Sequence, residues 1–335
     1  MDKEIIRRIE ELDKKYAAMG QDLKSYLDGL LVSNYPTYWE YIRLETLLTL
    51  QQPKTDFPDE LIFIGYHQIT ELYFKLVLHE LEQIAYNGKE VLSSGSNLGW
   101  KNELNKGEFI MRLQRINEYF AALTKSFDIM VKGMEKSQFL TFRMALLPSS
   151  GFQSAQYRKI EICSTSFIHL VSKESRHLFT EEEHPDIRQM FEYIYWKLGA
   201  TELSSGKKTL TLTQFERQYS EELIGLAEQY QERNLWMKYC SLSREEQEDP
   251  ELKQALRQLD INVNVNWPLV HYKSAVRYLQ QDTKDIEATG GTNWQKYLPP
   301  RFQKRIFYPS LWSEQEKEEW GKGWVHEVLS DSLRQ

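Results

Sequence analysis

Apolar residues recur along most of this chain at helical spacing rather than in strict alternation. Ile5, Ile6, Ile9 and Leu12 form an amphipathic stripe near the start, and Gly20 and the stretch Ser33–Pro36 mark breaks after it. Tyr38 to Leu50 reads as a second helix, ended at Gln52-Pro53. Pro58 and Asp59 introduce a long helix from about Glu60 to Tyr86. It is apolar nearly all round, which predicts a central, buried element. Asn87 to Gly107 is rich in Gly, Ser and Asn and reads as a surface loop. Further helices are predicted over Glu108–Met134, Ser137–Leu147, Gln153–Ser172, Pro185–Leu198 and Phe215–Tyr239. The β-branched Thr209–Thr213 favours extended chain, and the charged run Arg244–Glu251 a solvated face or loop.

Asn262-Val263-Asn264-Val265-Asn266 does not look helical. Pro268 behind it suits the first position of a new helix, where a missing N–H costs nothing, and that helix runs to about Gln280. Strand signals are few, and there is no βαβ rhythm, internal repeat or shift of composition. The pattern predicts one all-α domain over 1–335, with 1–35 as an N-terminal arm and 36–335 as the core.

Composition narrows the function classes. The 335 residues are 41% hydrophobic and 13% aromatic, enough for a sizeable core and for pockets that take flat ligands. A net charge of −7 argues against nucleic acid as a partner. Cys163 and Cys240 are the only cysteines, too few for a disulfide framework, which suits a reducing compartment. The charged start lacks a secretory core, and the greasiest stretch, Leu61 to Leu78, is interrupted by His67, Glu71 and Lys75. A cytoplasmic protein without a membrane partner is expected.

Familiar catalytic motifs are missing. There is no GxGxxG, P-loop or GxSxG, and His79-Glu80 fails as HExxH because Gln83 stands at the fifth position. His67 and His79 lie on one predicted helix, roughly 18 Å apart at helical rise, too far to share a metal. His177 and His184 flank an acidic loop and read as exposed.

Four segments carry candidate chemistry. Phe63, His67, Glu71 and Phe74 fall on one helix face. By itself, His67 there reads most simply as a hydrogen-bonded core histidine. Arg143 follows Phe139-Leu140-Thr141-Phe142 and precedes Pro148-Ser149-Ser150-Gly151; a guanidinium among apolar residues needs an anion, either an internal carboxylate or that of a ligand. His271 follows Trp267-Pro268. In the first turn of a helix the dipole disfavours imidazolium, and neutral imidazole is the form that binds iron, although a capping or core histidine fits equally. Thr289 stands before Gly290-Gly291, where the backbone can approach a ligand closely, or simply turn.

Taken together and in order, these segments resemble the tryptophan 2,3-dioxygenase family over roughly Gln21 to Tyr297. The tracts Tyr38–Leu44, His67–Lys75 and Ser150–Arg158 are the most telling. The resemblance implies a helical homotetramer, one heme b per subunit (ferrous for activity), and cleavage of the indole C2–C3 bond of L-tryptophan by O2 to N-formyl-L-kynurenine. It implies His271 as the axial iron ligand with Trp267 near the heme. It implies His67 as the distal histidine on the indole N–H, and Phe63 as a wall of the indole site. Phe139 would stand in the substrate pocket, Arg143 on the substrate carboxylate and Thr289 on its amino-acid end. Leu146, Ser150 and Gly151 would line the distal pocket. Tyr38, Tyr41 and Ile42 would reach in from a neighbouring subunit. The chain departs from the family at Phe139, where some members carry Tyr, at Ala288 for the usual Gly, and in a longer, polar Gln280–Glu287 stretch. A related aromatic monooxygenase and a non-catalytic heme or tryptophan sensor are the alternatives.

Overall fold

A computed structural model of the chain describes residues 2–92, 95–150, 153–179, 185–200, 207–279 and 304–321. It is mostly helical and divides into two compact units. One comprises Met1–Leu50 with Asn87–Glu103, the other Gln51–Tyr86 with Leu104–Gln335.

In the first unit, α1 (Lys3–Ala18) and α2 (Leu23–Val32) each begin at a capping aspartate, Asp2 and Asp22. The predicted stripe on α1 forms as a helix face, yet α1 has no buried residue. The predicted Tyr38–Leu50 helix is instead two single turns, α3 (Tyr38–Tyr41) and α4 (Leu44–Leu47), because Arg43 between them takes a left-handed φ of 55°. The expected loop over 87–107 contains a hairpin, β1 (Lys89–Val91) with β2 (Asn97–Trp100), antiparallel with a bulge between Glu90 and Val91. Asn87 secures it by donating its side-chain amide to the carbonyls of Lys101 and Asn102, at 3.1 and 2.8 Å.

The second unit is built on α5 (Pro58–Ala85), which starts with proline at its first turn. It packs on α6 (Lys106–Ser126), α7 (Asp128–Lys132) and α8 (Lys136–Phe142), and on α9 (Ala155–Ser164). Phe74, Val77, Leu81 and Ile84 of α5 and Phe109, Leu113, Ile116, Phe120 and Leu123 of α6 are buried in the main apolar core. The buried Glu80 carboxylate of α5 receives Arg112 at 2.7 Å and Arg115 at 3.4 Å from α6. A charge so enclosed is tolerable only with such partners. The expectation that α5 is buried all round needs correction: Leu61, Ile69, Leu72 and Leu76 are exposed, so the chain itself covers only part of the helix.

Among the described residues the remaining α-helices are α10 (Ile187–Glu192), α11 (Tyr195–Gly199), α12 (Leu210–Tyr230), α13 (Leu235–Cys240), α14 (Arg244–Gln247), α15 (Pro250–Ile261), α16 (Trp267–Leu279) and α17 (Glu314–Glu318). Thr209–Thr213 is not extended. The Thr209 hydroxyl caps α12 by accepting from Leu212 N–H at 3.2 Å, and helix begins at the next residue. Arg244–Gln247 is a helical turn closed by a capping box between Ser243 and Glu246.

A further correction concerns residues 262–266. They form a π-helical turn, so α15 and α16 make one continuous helical rod from Pro250 to Leu279. Asp260, on that rod, is fully enclosed. It accepts from the backbone N–H of Phe307 and Tyr308, from Trp312 Nε1 at 2.9 Å and from Asn264 Nδ2 at 2.7 Å. The segment 305–312 is thereby stitched to the rod.

Because Leu113 is wholly buried, Leu113→Ala removes core contacts and leaves a cavity. The expected loss is about 2–5 kcal/mol of unfolding free energy. Urea titration measures it, and a loss below about 1 kcal/mol would show that the α5–α6 core is not formed as described.

Candidate functional site

Two histidines on different helices each lie against aromatic rings packed on the main apolar core. On α5, His67 lies one turn after Phe63; its Nδ1 meets the Phe63 carbonyl at 2.7 Å, and the two rings are 4.1 Å apart. A carbonyl can only accept, so Nδ1 carries the proton and the neutral ring keeps its lone pair on Nε2. On α16, His271 repeats this arrangement. Its Nδ1 donates to the Trp267 carbonyl at 2.9 Å, again leaving Nε2 as the basic nitrogen.

Aromatic rings hold both imidazoles in place. His271 lies 4.5 Å from the Trp267 ring and 4.6 Å from Phe127, the residue joining α6 to α7. Trp267 packs edge-on against Phe74 of α5 at 5.6 Å and against Phe127 at 5.4 Å. Phe63 contacts Phe142 at 5.8 Å and Phe139 at 6.2 Å, and Phe139 packs 4.6 Å from Tyr278 of α16. The Tyr278 hydroxyl closes this wall by donating to the carbonyls of Val131 and Met134. α5, α8 and α16 thus meet through rings rather than through charges.

Burial sets the protonation states. It lowers His271 from 6.5 to about 4, despite the bond to Trp267, and the neighbouring His67 disfavours its charge further. Burial also lowers His67, opposed by its bond to Phe63 and by Glu71. The expected helix-dipole argument for His271 is superseded: the rod is continuous through residue 267, so no free helix end lies beneath the histidine, and desolvation keeps it neutral.

Arg143 follows Phe142 at the end of α8, in a 3-10 turn Arg143–Leu146. It is buried, and that burial pulls its pKa down. Leu146 is half-buried against the main core. The Ser150 N–H donates to Gln153 Oε1 at 3.2 Å. Gln156 of α9 donates to both the carbonyl and a carboxylate oxygen of Glu71, at 2.9 and 2.8 Å, fixing the α5 face that bears His67.

The rings form two groups on the same apolar core, Phe63, His67 and Phe139 in one and Trp267 and His271 with Phe127 in the other, near enough for His67 to act electrostatically on His271; Arg143 follows the first group in sequence. Tyr38, Tyr41 and Ile42 lie in the first unit and are exposed. Gly151, Ala288 and Thr289, with the Gln280–Glu287 stretch, lie outside the described residues. Sequence reasoning missed Phe127, which rests against His271; within a long apolar helix pattern it carries no distinguishing mark.

Neutral imidazoles poised at Nε2 inside an aromatic helical core define the class of site. A family model described as tryptophan 2,3-dioxygenase matches residues 30–265. A tryptophan 2,3-dioxygenase of Ruegeria sp. (strain TM1040) is 38% identical over 125 residues, 37% of this chain and 40% of that protein. The enzyme of that name from Nocardioides sp. (strain ATCC BAA-499 / JS614) is 39% identical over 132 residues, 38% and 45% of the two chains. These matches thus span less than half the length of those relatives. Another, from Caulobacter vibrioides, is 28% identical over 282 residues, 83% of this chain and 96% of its own. The chain belongs to the tryptophan 2,3-dioxygenase family, whose members depend on heme.

The depressed histidines make stability pH-dependent. The unfolded His271 takes up its proton near pH 6.5 and the folded one near 4. Protons therefore favour the unfolded chain, and stability present above pH 6.5 is lost as pH falls towards 4. Urea midpoints of the heme-free chain across this window should fall, and the fall should be shallower in His271→Gln. Identical pH profiles for both proteins would contradict a buried neutral His271.

Proposed function

We propose that this chain is a heme-dependent dioxygenase that cleaves the indole C2–C3 bond of L-tryptophan with O2, giving N-formyl-L-kynurenine. The observation that carries the reading is the pair of neutral histidines, each with Nδ1 tied to its own helix and Nε2 left basic. The residues present fit heme b. A metal-binding histidine characteristically donates its other ring N–H to a backbone carbonyl, as His271 does to Trp267, and burial removes the competing proton. Trp267 and Phe127 supply the flat apolar contact that a macrocycle needs. Bound through His271, the heme supplies the oxygen chemistry.

The protein's share is positioning. Nε2 of His67 accepts from the indole N–H, Phe63 walls the ring, and Phe139 backs Phe63. Arg143, held in a buried turn, engages the substrate carboxylate as a planar fork. By the family resemblance Thr289 would assist at the same end, and Leu146, Ser150 and Gly151 would line the pocket. Fixing both ends of the amino acid sets the C2–C3 bond in one place, which is where catalysis gains from lost freedom. His67 orients the indole rather than removing its proton, since an indole N–H is a weak acid.

The active unit is a cytoplasmic homotetramer in which Tyr38, Tyr41 and Ile42 complete a neighbouring site. Exposed Leu61, Ile69, Leu72 and Leu76 on α5, and exposed Tyr38, Trp39 and Tyr41 in the first unit, support association, because contiguous apolar surface is seldom left to water. Among the described residues no helix is long and apolar enough to cross a membrane.

Anaerobic reduction of the heme-loaded protein, followed by 18O2 and L-tryptophan, should give N-formylkynurenine with two labelled oxygens; one labelled oxygen would point to a monooxygenase, and no turnover to a sensor. His271→Ala should lose stable heme, and unchanged axial ligation in that variant would refute the assignment. Arg143→Ala should lower kcat/KM for L-tryptophan by roughly 10–100-fold, mainly through KM, as expected for a lost charged hydrogen bond. Unaltered KM would remove Arg143 from the substrate site.

A further inference from the structure

The rod that carries His271 contains a proline where a backbone donor is due. In the π turn the Trp267 N–H bonds to the Asn262 carbonyl, five residues back. The next bond in that register would run from residue 268 to the Val263 carbonyl, but residue 268 is proline and has no N–H. Val263 is fully buried, so water cannot replace the donor. The Tyr157 hydroxyl does so from α9, at 2.9 Å. Burial pushes the Tyr157 pKa up to about 12, so it remains a protonated donor at neutral pH.

Arg305 orients that hydroxyl. Its Nη2 donates to Tyr157 Oη at 3.1 Å and to the Val263 carbonyl at 3.4 Å. Its Nε donates to Asn264 Oδ1, and its Nη1 to Glu161 Oε1. Two successive residues of the π turn, Val263 and Asn264, are thus gripped by side chains from outside the rod. A π turn holds one residue more than an α turn, so it rotates everything after it by about 100°. The face on which Trp267 and His271 emerge depends on that extra residue.

We propose that Tyr157, held by Arg305, is a positioning residue for His271: by donating to the Val263 carbonyl it keeps the π turn open and so aims the imidazole into the aromatic cluster. The proposal rests on His271 as heme ligand for its functional meaning, but its structural part does not need the heme.

Tyr157→Phe is the direct test, because it retains the ring that packs 5.6 Å from Phe74 and deletes only the hydroxyl. A crystal structure of this full-length variant without heme should have residues 262–266 rewound towards α geometry and the His271 ring displaced. In the heme-loaded variant the iron–histidine stretching band should shift, and heme affinity should fall by roughly 10–100-fold, as for other changes behind a metal ligand. Adding Pro268→Ala restores an N–H opposite Val263, so the double variant should regain the wild-type band and affinity. An intact π turn with an unchanged band in Tyr157→Phe would overturn the proposal, as would failure of Pro268→Ala to rescue. If the wild-type chain binds heme without His271, the functional reading fails, while the heme-free structure still decides the positioning role.

Discussion

The second unit depends on keeping two partly buried imidazoles neutral against its apolar core. A charged imidazolium there loses hydration that the rings of Phe63, Phe74, Phe127, Phe139 and Trp267 do not replace, and the Glu71 carboxylate offsets this loss only in part at His67. Each histidine meets this constraint locally, by spending one N–H on the carbonyl a turn earlier in its own helix. The tautomer is therefore decided by helix geometry and not by any distant charge. That leaves the other nitrogen of each ring as the basic one.

A buried charged network lies on the other side of Tyr157 from Phe74. Arg158, Glu161, Tyr195 and Arg305 form a buried network, with Tyr195 Oη donating to Glu161 at 2.6 Å and Arg158 Nη1 to Glu161 at 3.0 Å. Isolated buried ions are destabilising, but here each carboxylate oxygen meets a donor. Among the described residues the network meets the rod at its π turn, through Tyr157, Val263 and Asn264. Polar strength is thus applied about two turns before the histidine, and the ring itself lies against Trp267 and Phe127.

Helical periodicity and four short motifs made much of this legible in the sequence. α5 was expected from Glu60 to Tyr86 and spans Pro58–Ala85. Phe63 and His67 were expected on one face and do stack. What escaped depended on partners far along the chain. Asn262–Asn266 alternates apolar and polar residues, which argues against helix locally; Tyr157, 106 residues from Val263, and Arg305 supply the bonds that make it a π turn. Thr209 looked like strand because β-branching favours it, yet the same hydroxyl makes an effective cap. The hairpin was hidden because its strands are only three and four residues long.

The order in which the chain emerges during synthesis gives the Asp260 cluster a further meaning. Asp260 and the π turn are made before their partners Arg305, Phe307, Tyr308 and Trp312. Until residue 312 has left the ribosome, a buried carboxylate has neither its backbone donors nor its indole. The rod bearing His271 is therefore completed by nearly the last described segment of the polypeptide. A nascent or truncated chain ending before this point carries the histidine without the clamp behind it.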